Sequence, residues 1–261
     1  MIKPKILIFD IETSPIMSYT WGIWDQNVAL NQIHTDWSIL SWAAMWADDS
    51  KIMYMDNRKS KDVYNDKKLL RGIWQLINEA DIIITQNGKS FDEKKLNARF
   101  ILNGMKPPRK PKHFDTKRIA TKYFAFTSNK LEYLTEKLCK KHKKLTGKRK
   151  FPGFMLWKEC LKGNNKAWDE LKHYNIADVT SLFELFGILS PWDSSINFGV
   201  YSDDEDHTCS CGSKKFKSNG FAYTATGKFQ RYVCKSCGKE SRSRQNLLSK
   251  EKTKSMRVSV R

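Results

Sequence analysis

Asp10 and Glu12 stand two residues apart in "KILIFDIET", an apolar, β-branched run bounded by Pro4 and Pro15. Such a run reads as a buried strand, and alternate residues of a strand leave one face, so the two carboxylates project together. Adjacent carboxylates on a buried strand repel each other and lose hydration unless a cation sits between them. The plainer alternative is that they mark the exposed end of the strand. Asp92 follows the short apolar run "DIIIT" through "QNGKSF", at the carboxyl end of a strand, where open α/β sheets place ligands. Asp178 comes much later, in a helical segment. Together the four supply the hard oxygen donors of a site for two Mg²⁺ or Mn²⁺ ions ~3.5–4 Å apart. One ion would acidify an attacking water and the other would stabilise the departing oxygen of a phosphodiester.

A second set of ligand-type residues lies near the C-terminal end. Cys209, Cys211, Cys234 and Cys237 form two knuckles, each ending in Cys-Gly, on either side of a predicted hairpin. Four thiolates suit a closed, tetrahedral, structural Zn²⁺ site, and a module this small needs such a staple. Two disulfides are the alternative. The first knuckle is C-x-C, with Thr208 where the commoner C-x-x-C would place its first thiol. Cys209 is therefore the expected fourth ligand, and His207 competes for that place. Lys214, Lys215, Lys217, Arg231, Tyr232, Arg242 and Arg244 mix with Phe216, Phe221, Tyr223 and Phe229. The cations suit phosphate contacts, and the aromatics suit either base stacking or the minimal core of the module. Cys139 and Cys160 lack such company and read as buried filler.

The elements that must position these groups are legible from periodicity. "WSILSWAAMWA" and "KIMYMDN", separated by "DDS", read as a hairpin after the first strand. "NDKKLLRGIWQLINEA" starts at an Asn65 or Asp66 cap and repeats apolar residues at helical spacing. "DIIIT" is a short strand, "FDEKKLNARFILNG" an amphipathic helix, and "MKPPRKPKHF" a loop leading to a short strand. Further helices are expected at "DTKRIATKYF", "NKLEYLTEKLCKKH" and "NKAWDELKHYNIADVTSLFELFGIL". This order describes an α/β domain with a mixed sheet flanked by helices. The expected organisation is a catalytic domain at 1–195, an acidic linker at 196–206, a zinc-binding module at 207–245 and a basic tail at 246–261.

With 261 residues, 40% of them hydrophobic, the chain can bury one good core. No apolar run approaches the ~20 residues that span a bilayer. The N-terminus enters a strand directly, without an apolar signal segment, which predicts a cytoplasmic protein with no membrane partner. The formal charge of +19 predicts attraction to nucleic acid. From residue 207 to the end, 14 Lys+Arg stand against two Glu, a net +12, leaving +7 for the preceding 206 residues. A second basic cluster, "EKLCKKHKKLTGKRK" at 136–150, reads as a further contact or as a solvated face.

"FDIET", "NGKSFDEKKL" and "YNIADV" occur in the order of the three motifs of the DnaQ-like, or DEDD, 3′–5′ exonuclease superfamily, which the chain resembles over about residues 5–190. The likeness is greatest to exonuclease domains of family B DNA polymerases and to stand-alone phage and bacterial exonucleases. It implies a ribonuclease H-like fold, places Asp10, Glu12, Asp92 and Asp178 on the two metal ions, and adds Asn87 and Phe91 from the second motif as substrate contacts. "SNKLEYLTEKL" is similar to the family's Ser-x-x-Leu helix start. The four-cysteine segment resembles the zinc ribbons of some transposases, most of all in "FQRYVCKSCG". The implied activity is 3′–5′ exonucleolytic cleavage, with DNA favoured over RNA. A structure-specific endonuclease on the same fold, or a nucleic-acid-binding protein without catalysis, is the alternative.

The superfamily divides on whether a tyrosine or a histidine accompanies the last aspartate. In an unbroken helix from Trp168 to Phe186, residues four apart share a face, so Tyr174 would join Asp178 and orient the attacking water. A helix starting at Tyr174 would instead favour His173.

Overall fold

The computed structural model describes residues 4–142, 150–201 and 207–258. Residues 143–149 of the basic cluster at 136–150, most of the acidic stretch at 201–206 and the last three residues of the tail lie outside the described residues. The chain divides into two compact units, Lys5–Leu189 and a second that starts at Ser190. That border precedes the one expected at 195. Residues 198–201 form a turn of 3₁₀ helix, the Phe198 N–H donates to the Ser210 carbonyl (2.7 Å), and Ile196 is buried. The start of the expected linker is therefore structured within the second unit.

The first unit is built on a five-stranded sheet in the order β5-β4-β1-β6-β7. Its strands are β1 (Ile6–Thr13), β4 (Ile39–Trp46), β5 (Ile52–Asp56), β6 (Ile82–Thr85) and β7 (Lys112–Asp115). The β1–β4 and β4–β5 pairs are antiparallel, whereas β1–β6 and β6–β7 are parallel, which makes the sheet mixed as expected. β2 (Met17–Ser18) and β3 (Ile33–Thr35) pair with each other outside that sheet and form an arm inserted between β1 and β4. The base of the arm is clasped: the Ser14 N–H donates to the Ser38 carbonyl and the Ser38 N–H to Ser14 Oγ, both at 2.9 Å.

Strand alternation sorts the side chains of β1 into two layers. Leu7, Phe9 and Ile11 pack with Trp42, with Leu70 and Ile73 of α1 (Lys67–Glu79), and with Leu96 and Phe100 of α2 (Asp92–Leu102). A second cluster joins Leu40 of β4 to α5 (Met155–Leu161) and α6 (Asn165–Leu189), with Trp168 and Leu171 fully buried. Asp10 and Glu12 belong to the alternate set of β1, opposite the α1–α2 layer. α3 (Thr116–Tyr123) and α4 (Leu131–Leu138) complete the unit. Asp66 does stand at the start of α1, but its carboxylate caps no helical N–H. It accepts from the Ile39 N–H (3.0 Å) and from both arms of Arg99 (2.7 and 2.8 Å), bracing α2 against the start of β4.

The helix expected at 129–142 is shorter than its periodicity suggested. Cys139 is extended (φ −82°, ψ 141°), and the Glu184 carboxylate accepts from the N–H groups of Lys140, Lys141 and His142. A tertiary acceptor thus replaces the helical one. Cys139 and Cys160 are buried as expected, and burial pushes the Cys160 thiol up to about 12.

The second unit has an antiparallel sheet of β8 (Phe216–Thr224), β9 (Gly227–Cys234) and β10 (Glu240–Arg242), followed by α7 (Lys250–Ser255) within the basic tail. Among the described residues no helix is long and apolar enough to cross a membrane.

Candidate functional site

Three carboxylates from opposite ends of the first unit meet at the middle strand of the large sheet. The ligand oxygens of Asp10, Glu12 and Asp178 all lie within 4.8 Å of one another. β1 supplies the first two because its residues alternate, and α6 supplies the third because its apolar face packs Leu171, Val179 and Leu182 into the core. Asp92 stands outside that close group but adjoins it: the Ile11 N–H, between Asp10 and Glu12, donates to Asp92 Oδ1 at 3.2 Å. Burial pushes the Asp92 carboxyl up to about 7, against the Ile11 N–H, which favours the ionised form.

The donor set fits a hard divalent cation. Oxygens on one octahedral Mg²⁺ at ~2.1 Å lie at most ~4.2 Å apart, so a group already within 4.8 Å needs only small side-chain rotations to share an ion. A nearby cation would also offset the burial that holds Asp92 towards its neutral form.

Two residues that the sequence reading did not single out hold these carboxylates in place. Trp157, on α5, donates its indole N–H to Glu12 Oε2 at 3.0 Å. The Asn175 amide on α6 donates to Asp10 Oδ2 (2.7 Å) and to the Asp10 carbonyl (3.2 Å), while its own oxygen accepts from Ser41 Oγ (3.2 Å). Asn175 is fully buried, and it lies inside the quoted stretch "YNIADV". An amide in the buried core of a helix is the one signal that could have marked it.

α6 runs unbroken from Asn165 to Leu189, so Tyr174 lies one turn before Asp178. The Tyr174 ring meets Trp157 edge-on, with centroids 6.2 Å apart. His173 is exposed. In the second motif, Asn87 takes a left-handed conformation (φ 65°), tolerated by asparagine more than by most residues. Its N–H donates to Asp115 Oδ1 (2.8 Å) and its side-chain oxygen accepts from Lys117 Nζ (3.2 Å). Asn87 thereby shapes the turn that delivers Asp92. Phe91 caps the start of α2 and is partly exposed, with the Lys95 ammonium 5.7 Å from its ring centre.

In the second unit the four cysteines form the other group of metal-type ligands among the described residues. Cys209 and Cys237 sulfurs are 3.7 Å apart, as are those of Cys211 and Cys234. Tetrahedral sulfurs at ~2.3 Å from zinc would stand ~3.8 Å apart, and all four cysteines are free thiols. The cluster fits a zinc ribbon. Each knuckle is closed by a glycine with positive φ, Gly212 at 85° and Gly238 at 74°, whose N–H donates to the Cys209 and Cys234 carbonyls. Burial opposes ionisation of Cys234, yet the N–H groups of Cys237 and Ser236 together with the Cys209 and Cys211 thiols hold it down at about 6. Burial pushes the Cys209 and Cys211 thiols up, so four thiolates together call for a cation. His207 is not in the cluster; its ring lies 6.3 Å from that of Tyr232.

The basic residues of the ribbon divide in two. Lys214, Lys215, Lys217, Arg242 and Arg244 are exposed. Arg231 is engaged in the hairpin, donating to the Asn219 carbonyl (2.8 Å) and standing 3.8 Å from Glu240. A concavity of about 470 Å³ is lined by His207, Lys214, Phe216, Tyr232 and Arg242 among others. Phe229 lies beneath the Arg242 guanidinium at 4.0 Å, whereas Tyr223 is exposed, so the aromatics serve both as packing and as surface.

A mixed sheet with helices on both faces and a carboxylate cluster at its central strand defines an α/β domain of the nuclease type. A family model described as RNase_H superfamily matches residues 7–190, and the chain belongs to that superfamily. A family B DNA polymerase from the hyperthermophilic archaeon Pyrobaculum calidifontis has a similar fold, with a TM-score of 0.54 and 16% identity over 72% of this chain. The match covers 25% of the polymerase chain, so this protein spans about a quarter of that length. No match was found among curated proteins. Membership of the superfamily supports nuclease-type hydrolysis of phosphodiester bonds, and with it a nucleic-acid substrate.

Proposed function

We propose that the chain is a metal-dependent 3′–5′ exonuclease acting on DNA. The observation that carries this reading is the meeting of Asp10, Glu12 and Asp178 within 4.8 Å, with Asp92 joined to the same strand through the Ile11 N–H. Asp10, Glu12, Asp92 and Asp178 would hold two Mg²⁺ or Mn²⁺ ions. Bound there, the ions supply Lewis-acid polarisation and neutralise charge at the scissile phosphate.

The chain's own groups do the rest. Trp157 and Asn175 fix the rotamers of Glu12 and Asp10 through the hydrogen bonds described above, and such outer partners set ligand orientation. Tyr174, on the helical face of Asp178, directs its hydroxyl to the attacking water and orients its lone pair. The phenol acts there as an orienting hydrogen-bond donor rather than as a base. Asn87 and Phe91 hold the strand end beside Asp92. The zinc ribbon keeps Lys214, Lys215, Lys217, Arg242 and Arg244 along the substrate, where they contact phosphates without reading sequence.

The test is direct: end-labelled single- and double-stranded DNA and RNA, incubated with Mg²⁺ or Mn²⁺ beside a closed circular DNA. Release of mononucleotides from 3′ ends, with the circle intact, is the expected result. Cutting of the circle would make the protein an endonuclease, and no cutting at all would leave a binding protein.

A further inference from the structure

The arm between β1 and β4 leaves its largest side chains uncovered. Trp21 is 101% exposed, Ile23 85%, Trp24 80% and Leu30 87%. The base of the arm, by contrast, is built. Ser14 and Ser38 clasp its ends, Met17 pairs with Thr35 and Ser18 with Ile33, and Gln32 bonds Tyr19 through both its carbonyl and its side-chain amide. The tip is shaped by its own polar groups, with Thr20 Oγ1 donating to the Gly22 carbonyl and the Gln26 amide to that of Trp24. A held base with two bare tryptophans at its tip marks a binding surface, since exposed apolar patches of this kind are retained for contact.

The charge pattern selects the occupant. Residues 14–38 contain two charged side chains, Asp25 and Asp36, besides His34, in a chain of net charge +19. Two copies carrying that charge repel each other, whereas a polyanion is drawn in. The arm offers a polyanion no cation, so what it can grip is the part of nucleic acid that carries no charge, the flat face of an unpaired base. The arm leaves β1 after Thr13, one residue past Glu12 and just beyond the register shift between Glu12 and Thr13, so it begins beside the carboxylate cluster.

We infer that the arm is a stacking platform for unpaired bases of a nucleic-acid strand, with Trp21 and Trp24 as its stacking faces. This rests on the nuclease reading for the kind of polymer that reaches the site. Ionic contacts elsewhere on the chain hold the phosphates, and the arm holds the bases irrespective of sequence, because every base has a π face.

Binding can be measured on the full-length protein without added Mg²⁺ or Mn²⁺, its zinc retained, using fluorescence anisotropy. The probes are a fluorescein-labelled oligothymidylate and an abasic strand of equal length. Trp21→Ala with Trp24→Ala should weaken oligothymidylate binding about 5- to 100-fold. It should leave abasic binding and the slope of log affinity against log salt unchanged. Trp21→Phe with Trp24→Phe, which keeps a ring at both places, should recover most of the loss. Equal losses on both probes, or no loss on either, would overturn the inference. So would a change of oligomeric state in sedimentation with unaltered binding, which would give the arm to a second copy. Hydrolysis is scored separately. A chain that binds bases through the arm yet cuts nothing overturns the nuclease reading alone, and a chain that cuts but binds oligothymidylate equally well without the tryptophans overturns the arm alone.

Discussion

The two ligand clusters are assembled in opposite ways. Asp10 and Asp178 are separated by most of the first unit and are brought together by a sheet, two helices and a buried core that surrounds Leu7, Phe9 and Trp168. Cys209 to Cys237 bracket the single β8–β9 hairpin, and neither β8 nor the adjoining β10 buries a side chain. In the first case the fold stands by apolar burial and positions the donors. In the second, the donors must help make the fold, because a hairpin this small lacks a core. A carboxylate site of this kind would therefore keep its shape without ions, whereas a ribbon held by a metal would lose structure with it.

The sharpest way to break this contrast is to remove ligands from each cluster. Asp10→Ala or Asp92→Ala should reduce hydrolysis to background while nucleic-acid affinity, zinc content and thermal stability stay close to the parent. Cleavage by the Asp10→Ala protein at the parental rate would show that the carboxylates hold no catalytic ion. In the ribbon, Cys234→Ser or extraction of zinc by a strong chelator should open residues 207–245 to proteolysis while Lys5–Leu189 keeps its circular dichroism. Lost phosphate contacts should make the slope of log affinity against log salt shallower by ~0.9 each. A chain that contains no zinc and is equally protease-resistant would remove the distinction.

A smaller effect is expected at Tyr174. Tyr174→Phe keeps the ring against Trp157 and deletes only the hydroxyl, so the rate should fall roughly 10- to 10³-fold, somewhat under the usual worth of acid–base assistance. His173→Ala should do much less. A histidine base would impose an acid limb in the pH profile, and loss of such a limb in His173→Ala would reverse the assignment. Smaller still is Asn175→Ala, which deletes buried bonds to Asp10 and Ser41. It should destabilise the first unit by about 1–3 kcal/mol in denaturant unfolding. It should also weaken divalent-ion binding, measured by calorimetry, by ~10- to 100-fold. An unchanged ion affinity would mean that Asp10 keeps its orientation unaided.

What could be read in advance follows the same division. Local patterns identified β1, β4, β5, α1, β6 and α6, since each carries its own periodicity, and the continuity of α6 follows from a stretch, 168–186, without glycine or proline. The cysteines were legible because their partners are close in sequence. Trp157 was not, because its role depends on Glu12, 145 positions away, and nothing in "MLWKECL" points to that meeting. Asn175 sits within a recognisable motif, but its role is hidden there because its partners, Asp10 and Ser41, meet it only once β1 and β4 lie beneath α6. The premature end of α4 was hidden likewise in Glu184, a residue that looks like ordinary surface of another helix. The arm escaped for the opposite reason: residues 14–38 have short strands, little periodicity and no core to reveal them.

The clasp between Ser14 and Ser38 makes that arm a separable cassette. Because the two ends already exchange hydrogen bonds at 2.9 Å, β1 and β4 are joined at the base whatever the chain does beyond it. Evolution can lengthen, shorten or redecorate the excursion without disturbing the register that holds Glu12 opposite Ser41. An engineer can do the same, splicing a foreign loop between positions 15 and 37 as a plug-in specificity element on an unaltered hydrolytic chassis.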